Sequence, residues 1–386
     1  MDQSARTRLP ESGSLLLDVV RFGAALMVVI DHLTLGDFRL GYCDRQVLGY
    51  IAVPIFFVLS GFVIRYVSLT RELTTREYFI DRASRMYSVV LPSMGFTLIA
   101  SLGCYLLDRS WFISDWSPFF THPVARLILN LTFLSQAWGH NTTPFINVPF
   151  WSLGYECVYY AFYGFLFFLR GWKRILLCGG LATVIGPQVL FLFPVWWLGC
   201  WLYDFYRHYR RSWVSAATLL AALAWLVVGG TLCLMGHRAI LQAPMTAFRV
   251  LVSLPNPLVM IDIKEMRATM FAVGTGMLSF VALAPLLFVM DFFYILPSNL
   301  WRRWARWIAN GTFSIYLMHY PFLVLLTSIG MLRQGHYLSN ALIVIAMCLI
   351  LIVVAVPMDR LKVAMRRWLR SLPYGALNER PRDMIR

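Results

Sequence analysis

The chain has 386 residues, of which 59% are hydrophobic and 14% charged. With a mean hydropathy of +0.65, it carries too little polar surface for a soluble domain of this size. Its net charge of +15 is spread in short clusters between apolar runs, which argues against a nucleic-acid partner and for the lipid bilayer.

In chain order, a short segment (1–14) reads as cytoplasmic. The first apolar run, 15–35, is broken by Asp18 and Arg21, continues through His32 and lacks a small-residue cleavage pattern. It reads as a retained first span rather than a signal peptide. Further runs at about 47–69, 87–107, 149–169, 174–190, 192–206, 213–235, 269–290, 311–331 and 339–357 bring the expectation to ten spans. The fifth and sixth are short and divided by little more than Phe193-Pro194. The stretch 124–138 is apolar but too short to cross, so it reads as interfacial or re-entrant. With the N-terminus inside, 24 Lys and Arg fall on inner segments, nine on outer segments and Arg21 within the first span. That bias sets an N-in, C-in orientation. The expected fold is all-α, a polytopic membrane helix bundle over 15–357. A basic cytoplasmic tail, 358–386, follows; Leu361, Met365, Trp368 and Leu372 share one helical face there, as in a helix lying on anionic lipid. The seven cysteines show no C-x-x-C spacing and imply neither a disulfide framework nor a metal site.

Arg21 and His32 carry the strongest signal. Eleven residues apart, they are three helical turns plus roughly 20° apart, so they share a face ~16 Å apart along the axis. A charged group inside a span is costly and marks function by default. A plain Asp18–Arg21 packing pair is the alternative, and it leaves His32 unexplained. Ser60-Gly61 lies in VPIFFVLSGFVI, a span that Pro54 can kink; close helix packing is the simpler account. Arg82 and Arg85 stand at the inner edge of the third span, where ordinary positive-inside residues also occur. Glu156 lies two turns into the fourth span and His319 two turns into the ninth; either can be a satisfied packing residue.

Depth sorts these residues. Arg21, Ser60, Arg82 and Arg85 fall on the inner half, His32 and Glu156 on the outer half, and His319 at mid-depth or below. Arginines suit a polyanionic donor arriving from the cytoplasm, because their planar fork binds oxyanions. Histidine suits removal of a hydroxyl proton near neutral pH. The long outer segment 108–148 holds Trp111, Trp116, Phe119, Phe120, His122, Trp138 and His140, which suit stacking on sugar rings or an interfacial aromatic belt.

Together these segments resemble the integral-membrane acyltransferase 3 family. LDVVRFGAALMVVIDH, VPIFFVLSGFVI, RASRMY, WSLGYECVYY and SIYLMHYP match its motifs in family order over about residues 15–325. The resemblance implies an inner-membrane enzyme that moves an acetyl or other short acyl group from acyl-CoA, most simply acetyl-CoA. The acceptor is a hydroxyl of a cell-surface glycan, glycolipid or sugar-bearing molecule. It implies His32 and Glu156 as catalytic and Arg21, Arg82 and Arg85 as donor-binding; Ser60 is read beside them on the donor side, and Trp151 and His319 on the acceptor side. Asp81, Ser88 and Cys157 depart from the family pattern. A secondary transporter using Arg21, His32, Glu156 and His319 as a path is the rival reading; the paired repeats of many transporters are not visible in the sequence.

Overall fold

The computed structural model describes residues 9–34, 48–70, 74–209, 274–277, 279–280, 282–287 and 299–372. Among them the regular elements are helices, and no strand occurs. Among the described residues five stretches are long and apolar enough to cross a bilayer. They are α1 (Glu11–Thr34), α2 (Leu48–Thr70), α3 (Thr75–Leu107), the 187–208 stretch built from α7 (Pro187–Phe191) and α8 (Phe193–Tyr209), and α10 (Tyr337–Ser371). Between them lie α4 (Pro123–Leu131), α5 (Trp151–Phe168), α6 (Gly171–Ile185) and α9 (Asn299–Ser328). Helices α5 and α9 form at the expected fourth and ninth spans, but are richer in Tyr, Trp and polar side chains. An apolar helix over Gly274–Leu287 stands at the expected eighth. The expected seventh span, 213–235, lies outside the described residues.

Several boundaries differ from the sequence reading. The third helix starts at Thr75, because Thr74 and Glu77 form a capping box: the Glu77 N–H donates to Thr74 Oγ1 (3.3 Å) and the Thr74 N–H to Glu77 Oε2 (3.4 Å). Arg82 and Arg85 therefore lie within α3, which begins well before the apolar run 87–107. The break between the fifth and sixth spans falls at Gly186-Pro187, not at Phe193-Pro194. Gly186 has φ +79° and ends α6, while Pro194 sits at the second position of α8, where a missing N–H costs nothing. The stretch expected to be interfacial or re-entrant, 124–138, is α-helical only to Leu131, then turns and ends in a short 3-10 helix, Ala137–Gly139. Helix α10 runs unbroken for 35 residues, about 52 Å, so the described part of the basic tail continues the last span.

The chain forms two compact units. The first takes in Met1–Ala24, Tyr50–Arg71 and Pro187–Ala305. In it α2 crosses α8 closely: a Cβ on Gly61 would lie 2.0 Å from the Trp196 carbonyl oxygen, and one on Gly199 would lie 2.0 Å from the Val58 carbonyl oxygen. Backbones approach this closely only when both positions lack a side chain. The Trp196 indole donates to Ser60 Oγ (3.2 Å), and Arg65 pairs with Asp204 (2.9 Å).

The second unit takes in Ala25–Gly49, Glu72–Gly186 and Arg306–Arg386. Pro321 inside α9 has no N–H, so the Leu317 carbonyl four residues back loses its helical partner. The Ser93 hydroxyl (3.0 Å) and Asn147 Nδ2 (2.9 Å) donate to it instead, and Asn147 also donates to Thr97 Oγ1 (3.1 Å). This buried polar seam ties α3, α9 and the 109–150 segment together. Lower on α3, Arg366 of α10 forms a two-pronged ion pair with Asp81 (2.6 and 3.0 Å). Arg76 donates to the Arg370 (2.8 Å) and Leu372 (3.1 Å) carbonyls at the end of α10. The tail's basic side chains are thus partly committed to α3.

Candidate functional site

His32 stands in the last turn of α1, and His319 lies fully buried in α9. His319 Nδ1 is 2.9 Å from the Ile315 carbonyl oxygen, and its Nε2 is 3.1 Å from His32 Nδ1. A carbonyl only accepts, so His319 Nδ1 carries the proton. In the neutral ring Nε2 is then an acceptor, and His32 must donate to it through Nδ1. The Val28 carbonyl also contacts the His32 ring. It follows that neutral His32 holds its lone pair on Nε2. One backbone carbonyl, relayed through one buried imidazole, selects the tautomer of the other. Tyr320 packs edge-on against His32 (5.0 Å between ring centroids), and Trp116 packs edge-on against Tyr320 (6.0 Å).

The sequence reading put His32 near the outer end of its span and His319 at mid-depth or below. The structure brings the two rings into contact. Apolar windows fix span limits to within a few residues but give neither tilt nor offset, and α9 begins at Asn299 rather than 311.

Helix α5 carries a second line of polar groups. Ser152, Glu156 and Tyr160 are four residues apart, so they share one face over about 12 Å. Ser152 Oγ is 2.6 Å from the Tyr316 hydroxyl, and the Tyr316 ring is 6.3 Å from that of His319. Glu156 accepts the Tyr160 hydroxyl. The Tyr160 carbonyl accepts the Tyr78 hydroxyl (2.9 Å). The Arg82 guanidinium lies 5.8 Å from the Tyr78 ring and 5.9 Å from the Tyr160 ring, within cation–π range. Its Nε is buried without a hydrogen-bond partner among the described residues. Tyr160 is within electrostatic reach of Arg82, Arg85 and Glu156. One face of α5 therefore runs from the neighbourhood of the histidine pair to that of the arginine pair. Trp151, at its start, packs edge-on against Tyr155 (5.5 Å).

The remaining candidates, Arg21 and Ser60, belong to the first unit. Arg21 Nη1 is 3.6 Å from Asp18 Oδ1, the plain pairing that the sequence allowed. Ser60 sits at the α2–α8 crossing as the acceptor for Trp196. Sequence reasoning missed Tyr160, Tyr320 and Trp116 as neighbours of these groups. Tyr160 was within reach, since it stands one turn beyond Glu156; the other two depend on tertiary packing. Also invisible was the left-handed backbone of His122, Phe133, Trp138 and Phe145 (φ 52–60°), all in the segment between α3 and α5. Such conformations concentrate at functional sites. Among the described residues no three His, Cys, Asp or Glu side chains gather as a metal site requires.

Three comparisons bear on this arrangement. Residues 15–360 match the family model described as an acyltransferase domain. The chain is 27% identical over 146 residues to an exopolysaccharide production protein, ExoZ, of Rhizobium meliloti (strain 1021); the match takes in 37% of this chain and 43% of that protein. The chain thus spans less than half the length of this curated relative. No solved structure matches the chain.

Proposed function

We propose, from the premise that this chain belongs to the acyltransferase domain family, that it is a membrane-bound O-acyltransferase whose base is His32. The acyl donor is acyl-CoA, with acetyl-CoA the simplest member. The acceptor is a hydroxyl of a cell-surface glycan, glycolipid or related sugar, a reading to which the exopolysaccharide relative lends support. Ten spans and an N-in, C-in orientation, which the Lys and Arg distribution supports, and an inner-membrane location complete the proposal.

The observation that carries the reading is the Ile315 carbonyl–His319–His32 chain. A fixed Nδ1–H leaves His32 Nε2 as the proton acceptor, the arrangement general base catalysis needs. In the step proposed, Nε2 takes the proton of the acceptor hydroxyl as that oxygen attacks the thioester carbonyl. The carbon–sulfur bond breaks, CoA leaves as thiolate, and the proton passes from His32 to sulfur. His319 then acts as the positioning residue for His32 rather than as an acceptor ligand. Arg82 and Arg85, with Arg21 as a further candidate, offer guanidinium groups for the donor's phosphates. The unpartnered Arg82 Nε supports a ligand there. Glu156, held by Tyr160, and Trp151 are proposed on the acceptor side.

The test is thiol release from acetyl-CoA by the purified chain in detergent, with and without a glycolipid extract of the cell envelope. Extract-dependent release that falls in Arg82→Ala is expected. No release from any short-chain CoA thioester would contradict the reading.

A further inference from the structure

We propose that Trp116 is a substrate-binding residue of this site, its indole N–H donating a hydrogen bond to a substrate oxygen during acyl transfer. The inference rests on the acyl-transfer reading and adds the group that receives the reacting oxygen.

Trp116 is only 4% exposed, and its Nε1 is buried without a hydrogen-bond partner among the described residues. Three other indoles of the chain have acceptors. The Trp111 indole donates to Asp115 (2.6 Å), Trp196 to Ser60 (3.2 Å), and even the exposed Trp138 to the Thr183 carbonyl (3.0 Å). A buried donor with no acceptor destabilises a fold, so each one in a native structure calls for an explanation. Two facts of position supply it. Trp116 is two ring contacts from the proposed base, through Tyr320 (6.0 Å) to His32 (5.0 Å). Its ring is also fixed, packed edge-on against Trp111 (6.2 Å) and at a tilt against Phe119 (5.6 Å). It closes a single π-helical turn, Phe112–Trp116, an irregularity common at functional sites.

The chemistry fitted by a lone N–H donor is an oxygen acceptor. In acyl transfer two such oxygens arrive: the thioester carbonyl, which gains negative charge as it is attacked, and an oxygen of the acceptor sugar. Preorganised donors at a developing oxyanion are among the strongest catalytic devices.

The test compares wild type with Trp116→Phe and with 3-benzothienylalanine at position 116, which keeps the shape of the bicyclic ring and lacks the N–H. Acetyl transfer is measured with acetyl-CoA and an envelope glycolipid extract, alongside membrane level and melting temperature. The proposal expects kcat/KM to fall about tenfold or more in both variants, with the benzothienylalanine protein accumulating and melting like wild type. If the carbonyl is the partner, acceptor-free hydrolysis of acetyl-CoA falls in parallel. If the sugar oxygen is the partner, hydrolysis is unchanged and the acceptor KM rises. A folded benzothienylalanine variant with wild-type kcat/KM overturns the proposal while leaving the acyltransferase reading intact. Absence of acetyl-CoA turnover in wild type overturns both.

Discussion

His319→Phe isolates the orienting role of the second histidine. The substitution keeps an aromatic ring of similar size in a fully buried position but removes the acceptor 3.1 Å from His32 Nδ1. The Ile315 carbonyl keeps its helical partner, so the backbone loses nothing. His32 Nδ1–H then loses its imidazole acceptor. The Val28 carbonyl remains against the ring, so the loss is one hydrogen bond, worth about 0.5–1.5 kcal/mol net; felt in full at the transition state, that is a rate factor of about 2- to 13-fold. The loss grows if the ring changes tautomer and places its proton on Nε2, where the base is needed. The assay is acetyl transfer in inverted membrane vesicles at saturating acceptor, with protein level measured in the same vesicles. A fall in kcat with little change in acceptor KM is expected. His319→Gln, whose amide oxygen can accept from Nδ1, should recover part of it. A folded His319→Phe protein with wild-type kcat refutes the reasoning. A rise in acceptor KM at unchanged kcat would return His319 to substrate binding.

Gly61→Ala should abolish accumulation of the protein in membranes, because its methyl would lie 2.0 Å from the Trp196 carbonyl oxygen, backbone that cannot rotate away; quantitative immunoblotting checks this, and normal levels would contradict the close crossing. Asp81→Arg and Arg366→Asp should each lower the melting temperature in detergent, and the double reversal should restore much of the loss. Because Arg366 is about a third exposed, the coupling expected from that cycle is about 1 kcal/mol or less; additive losses would mean the pair contributes nothing.

Parts of this molecule were legible because they depend on local pattern. The eleven-residue spacing of Arg21 and His32 placed both on one helix, and α1 carries them as one continuous element. The apolar runs behind α1, α2, α3 and α10 were plain, since hydropathy alone decides them. The rest depends on tertiary packing. Hydropathy gives no relative offset between spans, so nothing in the sequence announced that His319 would meet His32 ring to ring. Pro321 signalled a freed carbonyl at Leu317, but not that Ser93 and Asn147 would satisfy it. Asp81 read as a departure from the family's arginine-rich pattern; its meaning became plain only when Arg366, 285 residues away, was found against it. Ser60-Gly61 carried both a packing and a binding reading, and the crossing at Gly199 gives the packing one its physical basis.

The most direct test of the account is transfer of radiolabelled acetyl from acetyl-CoA in inside-out vesicles, with wild type beside His32→Ala at matched protein level. The account predicts label moving from CoA to a glycan or glycolipid with wild type and none above background with His32→Ala. Equal transfer by the two proteins would contradict it.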